Sequence, residues 1–257
     1  MYDPVTVVWP DLHGLAGRDT KMTTAYKPNA QYNVAEPTSL PVRIAAQARR
    51  RMYAVFLANT SIQPVETLLD VGVTSDQSYE SSNYVEAWYP YKDKITAVGI
   101  DDASFLEQLY PGLTYRRADG RRLPFADASF DVVHSSAVLE HVGSAENQHE
   151  FIAELTRVAS RAVFLTTPNR WFPIEFHSLL PLAHWLPRPW FRSLLRGTRY
   201  DFFSREENLN LLGRSDILRL CSGMRECTVH VESLRLFGLP SNLLVTINKR
   251  STATASA

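Results

Sequence analysis

At 257 residues the chain is long enough for one α/β domain with a full core and some embellishment. Its 45% hydrophobic and 21% charged content is that of a soluble globular protein, and 27 basic against 27 acidic residues leave no net field to draw it to nucleic acid or an anionic membrane. Cys221 and Cys227 sit too close to imply a disulfide framework and lack metal-ligand spacing, and no segment reads as a secretion signal or a membrane span, so a protein of the reducing cytoplasm is expected.

Residues 1–38 are rich in turn formers and read as an irregular extension, within which Met22 is an alternative start. Tyr26, Tyr32 and Asn33 lead into Pro37-Thr38-Ser39-Leu40-Pro41, where a helix is expected to begin with proline near its first turn. From Arg43 to Asn59 the residues Ile44, Ala48, Met52, Val55 and Phe56 recur at helical spacing, with Arg43, Arg49, Arg50 and Arg51 on a solvated face. Thr67 to Asp70 is an apolar run ending in an acid, and Gly72 follows in a turn where a missing Cβ lets a ligand approach the backbone. A polar loop comes next, with Ser81, Ser82 or Asn83 as cap of a short helix over Tyr84 to Tyr89, stopped by Pro90.

Ile95 to Asp102 is a second strand ending in acids, and a short helix over Phe105 to Tyr110 follows it. Tyr115 to Asp119 is a third strand, Asp127 to Val142 a fourth strand entering a helix, Ala145 to Ser160 a surface helix, and Arg161 to Thr167 a fifth strand. The alternation predicts a doubly wound, Rossmann-like parallel sheet with polar groups at the carboxyl ends of its strands. Residues 169–200 are crowded with aromatics and prolines and read as an apolar lid rather than one long helix, with a homodimer contact as a second use. Ser204-Arg205-Glu206-Glu207 has a capping-box pattern predicting a helix to about Leu212, and Ser215 to Cys221 predicts another. Glu226 to Val231 and Leu243 to Asn248, joined through Gly238 to Asn242, predict a C-terminal antiparallel hairpin that completes a seven-stranded sheet. Residues 39–250 thus form one domain, and 251–257 a disordered tail.

Asp119-Gly120-Arg121-Arg122-Leu123-Pro124-Phe125, Asp127 to Val133 and Val138-Leu139-Glu140-His141-Val142, following the strand ends at Asp70 and Asp101, resemble the class I S-adenosylmethionine (SAM) dependent methyltransferases, in particular their type 11, ubiquinone/menaquinone methyltransferase-like branch. The resemblance covers residues 65–170 well, and mainly the order of elements beyond. It departs at the glycine loop, where Thr74 and Asp76 stand at the second and third glycine positions, and 31 residues separate Asp70 from Asp101.

The resemblance implies SAM as cofactor. Asp101, with Asp102 beside it, would take the ribose hydroxyls. Asp119 and the Gly120 backbone would take the adenine amine. Asp70 and the carbonyls of Gly72 and Ser135 would take the ammonium, while Thr74 and Ser75 would hold the carboxylate. Displacement at a sulfonium asks the protein mainly for alignment in a dry pocket, and a hydroxyl or carbon acceptor adds a general base, for which His141 and His177 are candidates. Glu140-His141 ends like a metal-binding Glu-x-x-x-Glu-His pattern of some quinone O-methyltransferases, but Ser136 replaces its first acid, so no metal is expected.

An oxidoreductase would need Gly-x-Gly-x-x-Gly after the first strand, and a nucleic-acid methyltransferase a basic surface or base-flipping motif. A non-catalytic methyltransferase-like binding subunit is the alternative that the thinned glycine loop favours. The reading adopted is methyl transfer in biosynthesis to a small, partly apolar or aromatic acceptor under the lid, without nucleic acid or stable membrane insertion.

Overall fold

A computed structural model of the chain describes residues 40–250 apart from Ser78. The expected N-terminal extension, the alternative start at Met22, the lead-in from Tyr26 to Ser39 and the tail from Ser251 lie outside the described residues.

Seven strands form one sheet in the order β3-β2-β1-β4-β5-β7-β6. The first five are β1 (Leu68–Val71), β2 (Ile95–Gly99), β3 (Thr114–Arg117), β4 (Phe130–Ser136) and β5 (Ala159–Pro168), all parallel to their neighbours. Every residue of β1 is buried, as expected for a strand covered on both faces. β6 (Cys227–Leu236) and β7 (Leu239–Lys249) add the antiparallel hairpin, β7 lying against β5. The fold class is as expected from the sequence; strand bounds agree to within about three residues except in the final hairpin, where β6 runs on to Leu236 and β7 starts at Leu239.

Alternation along β1 sends Leu68 and Asp70 to one face and Leu69 and Val71 to the other. On the first face, Leu68 packs with Met52 and Phe56 of α1 (Leu40–Thr60), Tyr84 and Val85 of α2 (Tyr84–Trp88) and Leu106 of α3 (Phe105–Leu109). On the second, Leu69 and Val71 pack with Phe151, Ile152 and Leu155 of α4 (Ala145–Val158) and Ile217 of α6 (Arg214–Leu220). Strand order reverses between β1 and β4, and the carboxyl edge at such a switch point is where open α/β sheets bind ligands.

The lid rises from the end of β5. Its proline-rich first half forms turns, and α5 (Arg188–Leu195) begins after Pro187, with Pro189 in its first turn. Phe191 and Leu195, one turn apart, bury against Phe203, Leu209 and Leu211 to give the lid a core of its own.

Three local expectations are corrected. Residues 205–212 form no helix: Asn210 donates its N–H to the Glu140 carbonyl (2.7 Å) and its side-chain amide to the Gly143 carbonyl (2.8 Å), which draws the segment out along the sheet edge. The final hairpin has no Gly238–Asn242 loop. Phe237 and Gly238 turn it with φ of 50° and 80°, and 239–242 belong to β7. No side chain among Ser81, Ser82 and Asn83 caps α2; Asn83 bonds the preceding loop instead.

Candidate active site

At the end of β1, Gly72 takes φ of +104°, and a Cβ built there would lie 2.0 Å from the Val138 side chain. Both a left-handed turn and a close approach therefore require glycine. Its N–H and that of Val73 bond the Val98 carbonyl of β2, at 2.7 and 3.0 Å, which fixes the turn beside the neighbouring strand end.

The register that pairs Asp70 with His134 across β1 and β4 brings their side chains together, His134 Nδ1 lying 2.6 Å from Asp70 Oδ1. His134 Nε2 meets the Tyr84 hydroxyl at 2.9 Å, and Glu86 of α2, fully buried, lies beside Asp70 with no partner in hydrogen-bonding geometry for either oxygen. Burial dominates the electrostatics of this chain of groups. It pushes Asp70 up to about 7, pushes Glu86 well above the usual carboxylate range with help from the Asp70 charge, and pushes His134 down to about 4. A neutral His134 can receive the Tyr84 O–H at Nε2 and donate Nδ1–H to Asp70, and burial favours the uncharged forms of both carboxyls.

The neighbouring strand ends are open. After Gly99 the side chain of Ile100 is 64% exposed, and half-buried Asp101 follows, its carbonyl receiving the Tyr115 hydroxyl at 2.5 Å. Asp102 turns back to accept the Ser104 N–H at 2.9 Å, which lowers its carboxyl. Asp119 accepts the Arg121 N–H and a two-pronged grip from the Arg121 guanidinium, closest at 2.7 Å, and these bonds hold it below its ordinary value. Gly120 sits where a Cβ would strike Phe151 at 2.5 Å and Val71 at 2.9 Å, so this turn presses directly on the core.

The polar loop closes on itself. The Thr74 N–H and carbonyl both bond the Asn83 amide, at 2.9 and 3.0 Å, and Thr74 Oγ1 accepts the Asp76 N–H. Ser75 adjoins them half-buried, and the Ser135 hydroxyl donates to the Val71 carbonyl at 2.7 Å.

Beyond the end of β4, at the carboxyl edge, His141 and His177 meet. His141 follows β4, and its Nδ1 donates to the Asn208 carbonyl at 2.6 Å. His177 comes from the lid; its Nδ1 lies 2.6 Å from Glu175 Oε1, and the two Nε2 atoms are 3.1 Å apart. Burial and the His177 charge push His141 down to about 3. Although burial opposes its charge, hydrogen bonding to Glu175 raises His177, and Glu175 is held at about 2 against its own burial by the bonds from His177 and Ser178. Glu140 is buried at the same point, its Oε2 accepting the Thr167 hydroxyl at 2.9 Å, and burial raises it. A cleft of about 480 Å³ elsewhere in the lid, lined by Arg192, Arg196, Arg205 and Glu206 among others, includes none of these strand-end residues.

Of the residues named from sequence, Gly72, Asp101, Asp102, Asp119 and Gly120 stand at adjoining strand ends, and His141 and His177 touch. Asp70 and Ser135 stand at the same edge, but their side chains are turned into the protein, and Thr74 is engaged by Asn83. Exposed Ile100 and half-buried Asp101 leave the end of β2 open to a cofactor such as SAM, beside the Gly72 turn. Sequence reasoning missed His134, Glu86, Asn83 and Glu175. A histidine amid the apolar residues of β4 was the available signal for the first; Asn83 stood out only as a helix cap, and nothing local marks Glu86 or Glu175.

A family described as a methyltransferase domain, type 11, matches residues 70–165. No curated protein matches the chain. Among solved structures, a SAM-dependent methyltransferase from Methanosarcina mazei is similar at 16% identity and TM-score 0.52, over 77% of this chain and 98% of that one. Magnesium protoporphyrin IX methyltransferase from Synechocystis, with bound S-adenosylhomocysteine (SAH), is similar at 14% and 0.52, over 85% and 91%. The YcgJ protein of Bacillus subtilis is similar at 12% and 0.54, over 79% and 99%. These likenesses speak for the fold, and the domain match supplies the family over the stretch that carries the strand-end residues. Residues 70–165 thus match the methyltransferase domain family, and the sheet around them has the fold of SAM-dependent methyltransferases.

Proposed function

We propose that the protein transfers the methyl group of SAM to a small-molecule acceptor with an apolar or aromatic part, bound between the strand edge and the lid. The observation that carries this reading is the contact of His177 from the lid with His141 beside β4, 3.1 Å between ring nitrogens. That contact supports a reading in which the aromatic lid covers the carboxyl edge proposed to hold the cofactor. Phe203 lies 5.2 Å from His177, and Phe172 and Phe176 stack at 5.3 Å, so an acceptor there would meet apolar walls and one polar station.

Bound SAM supplies an activated methyl on a sulfonium, and the driving force is its own. The chain's task is placement and exclusion of water. Asp101 and the turn at Asp119–Gly120 would fix the adenosine, the Gly72 turn the amino-acid end, and the lid would hold the nucleophile in line. His141 and His177 are the groups placed to receive the acceptor's proton. Exposed Trp171, Leu179, Trp190 and Leu194 on the lid suit contact with a second copy of the chain, and the setting is biosynthesis in the cytoplasm.

The test is incubation with methyl-labelled SAM and a panel of acceptors: phenols, quinols and carboxylic acids bearing apolar groups, with peptides and RNA as controls. Label extracted with an apolar acceptor is the expected result. Transfer only to peptide or RNA, or to nothing while SAM is bound, would contradict the reading.

A further inference from the structure

Two imidazoles that meet nitrogen to nitrogen need something between them. The Asn208 carbonyl can only accept, so His141 carries its proton on Nδ1 and presents a lone pair at Nε2. Glu175 accepts the backbone N–H groups of His177 (2.8 Å) and Ser178 (2.5 Å) as well as Nδ1 of His177, the surroundings of an ionised carboxylate. His177 therefore carries a proton on Nδ1, and its Nε2 faces the His141 lone pair across 3.1 Å, a gap that either a second proton on His177 or a cation between the two nitrogens would fill.

A third donor is aimed at the same point. The Glu140 side chain is wholly buried, its Oε1 has no hydrogen-bond partner among the described residues, and that atom lies 4.0 Å from His141 Nε2. Ligand atoms of Glu140, His141 and His177 all fall within 4.8 Å of one another. With metal–nitrogen bonds of about 2.0–2.1 Å, nitrogens 3.1 Å apart subtend about 100° at a shared ion, near the tetrahedral value. The Asn208 carbonyl and the Glu175 carboxylate already orient the imidazoles as outer partners of metal-bound histidines do.

We propose that Glu140, His141 and His177 form a binding site for a divalent cation of the zinc type, two nitrogens and one carboxylate oxygen leaving a fourth position for water or an acceptor oxygen. This replaces the sequence expectation of no metal, which turned on Ser136. That residue bonds Thr166 Oγ1 at 2.9 Å, and the third ligand comes instead from the lid, 36 residues beyond His141. Binding of the ion does not depend on methyl transfer. Its catalytic meaning does rest on the reading above: an acceptor hydroxyl on the fourth position would lose its proton more readily, and the imidazoles would coordinate rather than accept protons.

The competing occupant is a single shared proton, and the test separates the two. Chelator-treated full-length protein is titrated with zinc(II) by calorimetry and with cobalt(II) by visible absorption. The proposal expects one equivalent bound and the strong ligand-field absorption of four-coordinate cobalt. His141→Ala, His177→Ala and Glu140→Gln should each weaken zinc binding 100-fold or more, while His230→Ala, at an exposed position on β6, leaves it unchanged. Retained SAH affinity in the variants shows that they are folded. No stoichiometric zinc binding by the unaltered protein, or binding that His141→Ala and His177→Ala leave intact, overturns the site. Zinc bound as expected, but without effect on transfer to any acceptor, sinks the acceptor reading and leaves the metal site standing.

Discussion

At Gly72 two constraints coincide, a φ of +104° and the Val138 side chain lying where a Cβ would go. Gly72→Ala is expected to lower stability by about 1–3 kcal/mol from backbone strain, with a further steric cost, and to abolish SAM binding. Adding Val138→Ala should restore the steric part only, so the double variant melts between the single variant and the unaltered protein; equal melting temperatures for all three would contradict this. Glu86 makes a second test at this scale. Burial raises its folded value well above the carboxylate range, so its contribution to stability is complete below about pH 4.3 and drains away as pH rises toward the folded value. Asp70 has the same sign up to about 7, and His134, held at about 4, has the opposite sign between there and about 6.5, offsetting one acid. Glu86→Gln should therefore gain on the unaltered protein by up to ~1.4 kcal/mol per pH unit above that threshold. Chemical denaturation from pH 5 to 8 checks it, and parallel curves would refute it. These residues mark a limit of sequence reading: Asp70 and Gly72 stood out by strand-end position, whereas Glu86 reaches Asp70 only because α2 packs over β1.

The lid behaves as an element with its own small core. Leu195, fully buried against Phe203, Leu209 and Leu211, is its keystone. Leu195→Ala should cost about 2–5 kcal/mol locally. Because the strand-end residues lie outside that cluster, SAM affinity should persist while turnover falls and proteolysis moves to residues 169–211. Loss of SAM binding along with turnover would mean that the lid is not separable. The element scale is also where the sequence misled. Ser204-Arg205-Glu206-Glu207 has the composition of a helix start, yet the bonds from Asn210 to Glu140 and Gly143 outweigh it, a tertiary effect that no local window contains. Asn83 likewise has the composition of a cap, but is drawn to Thr74 by the loop that replaces the family's glycines.

Across the whole molecule the sheet was legible because periodicity and strand-end acids are local properties, and alternation of strands with helices leaves few topologies. Partners such as His141 and His177, which are distant in sequence, needed the folded chain. The same sheet supplies the central claim, that its carboxyl edge binds SAM along β1 to β3. Calorimetric titration with SAM and with SAH, beside Asp101→Ala, decides it. Saturable binding of both at one site is expected, weakened at least tenfold in the variant without loss of melting temperature, because Asp101 is only half-buried at the end of its strand. A folded protein that binds neither ligand, or an Asp101→Ala variant that binds both as tightly as the unaltered chain, would contradict it.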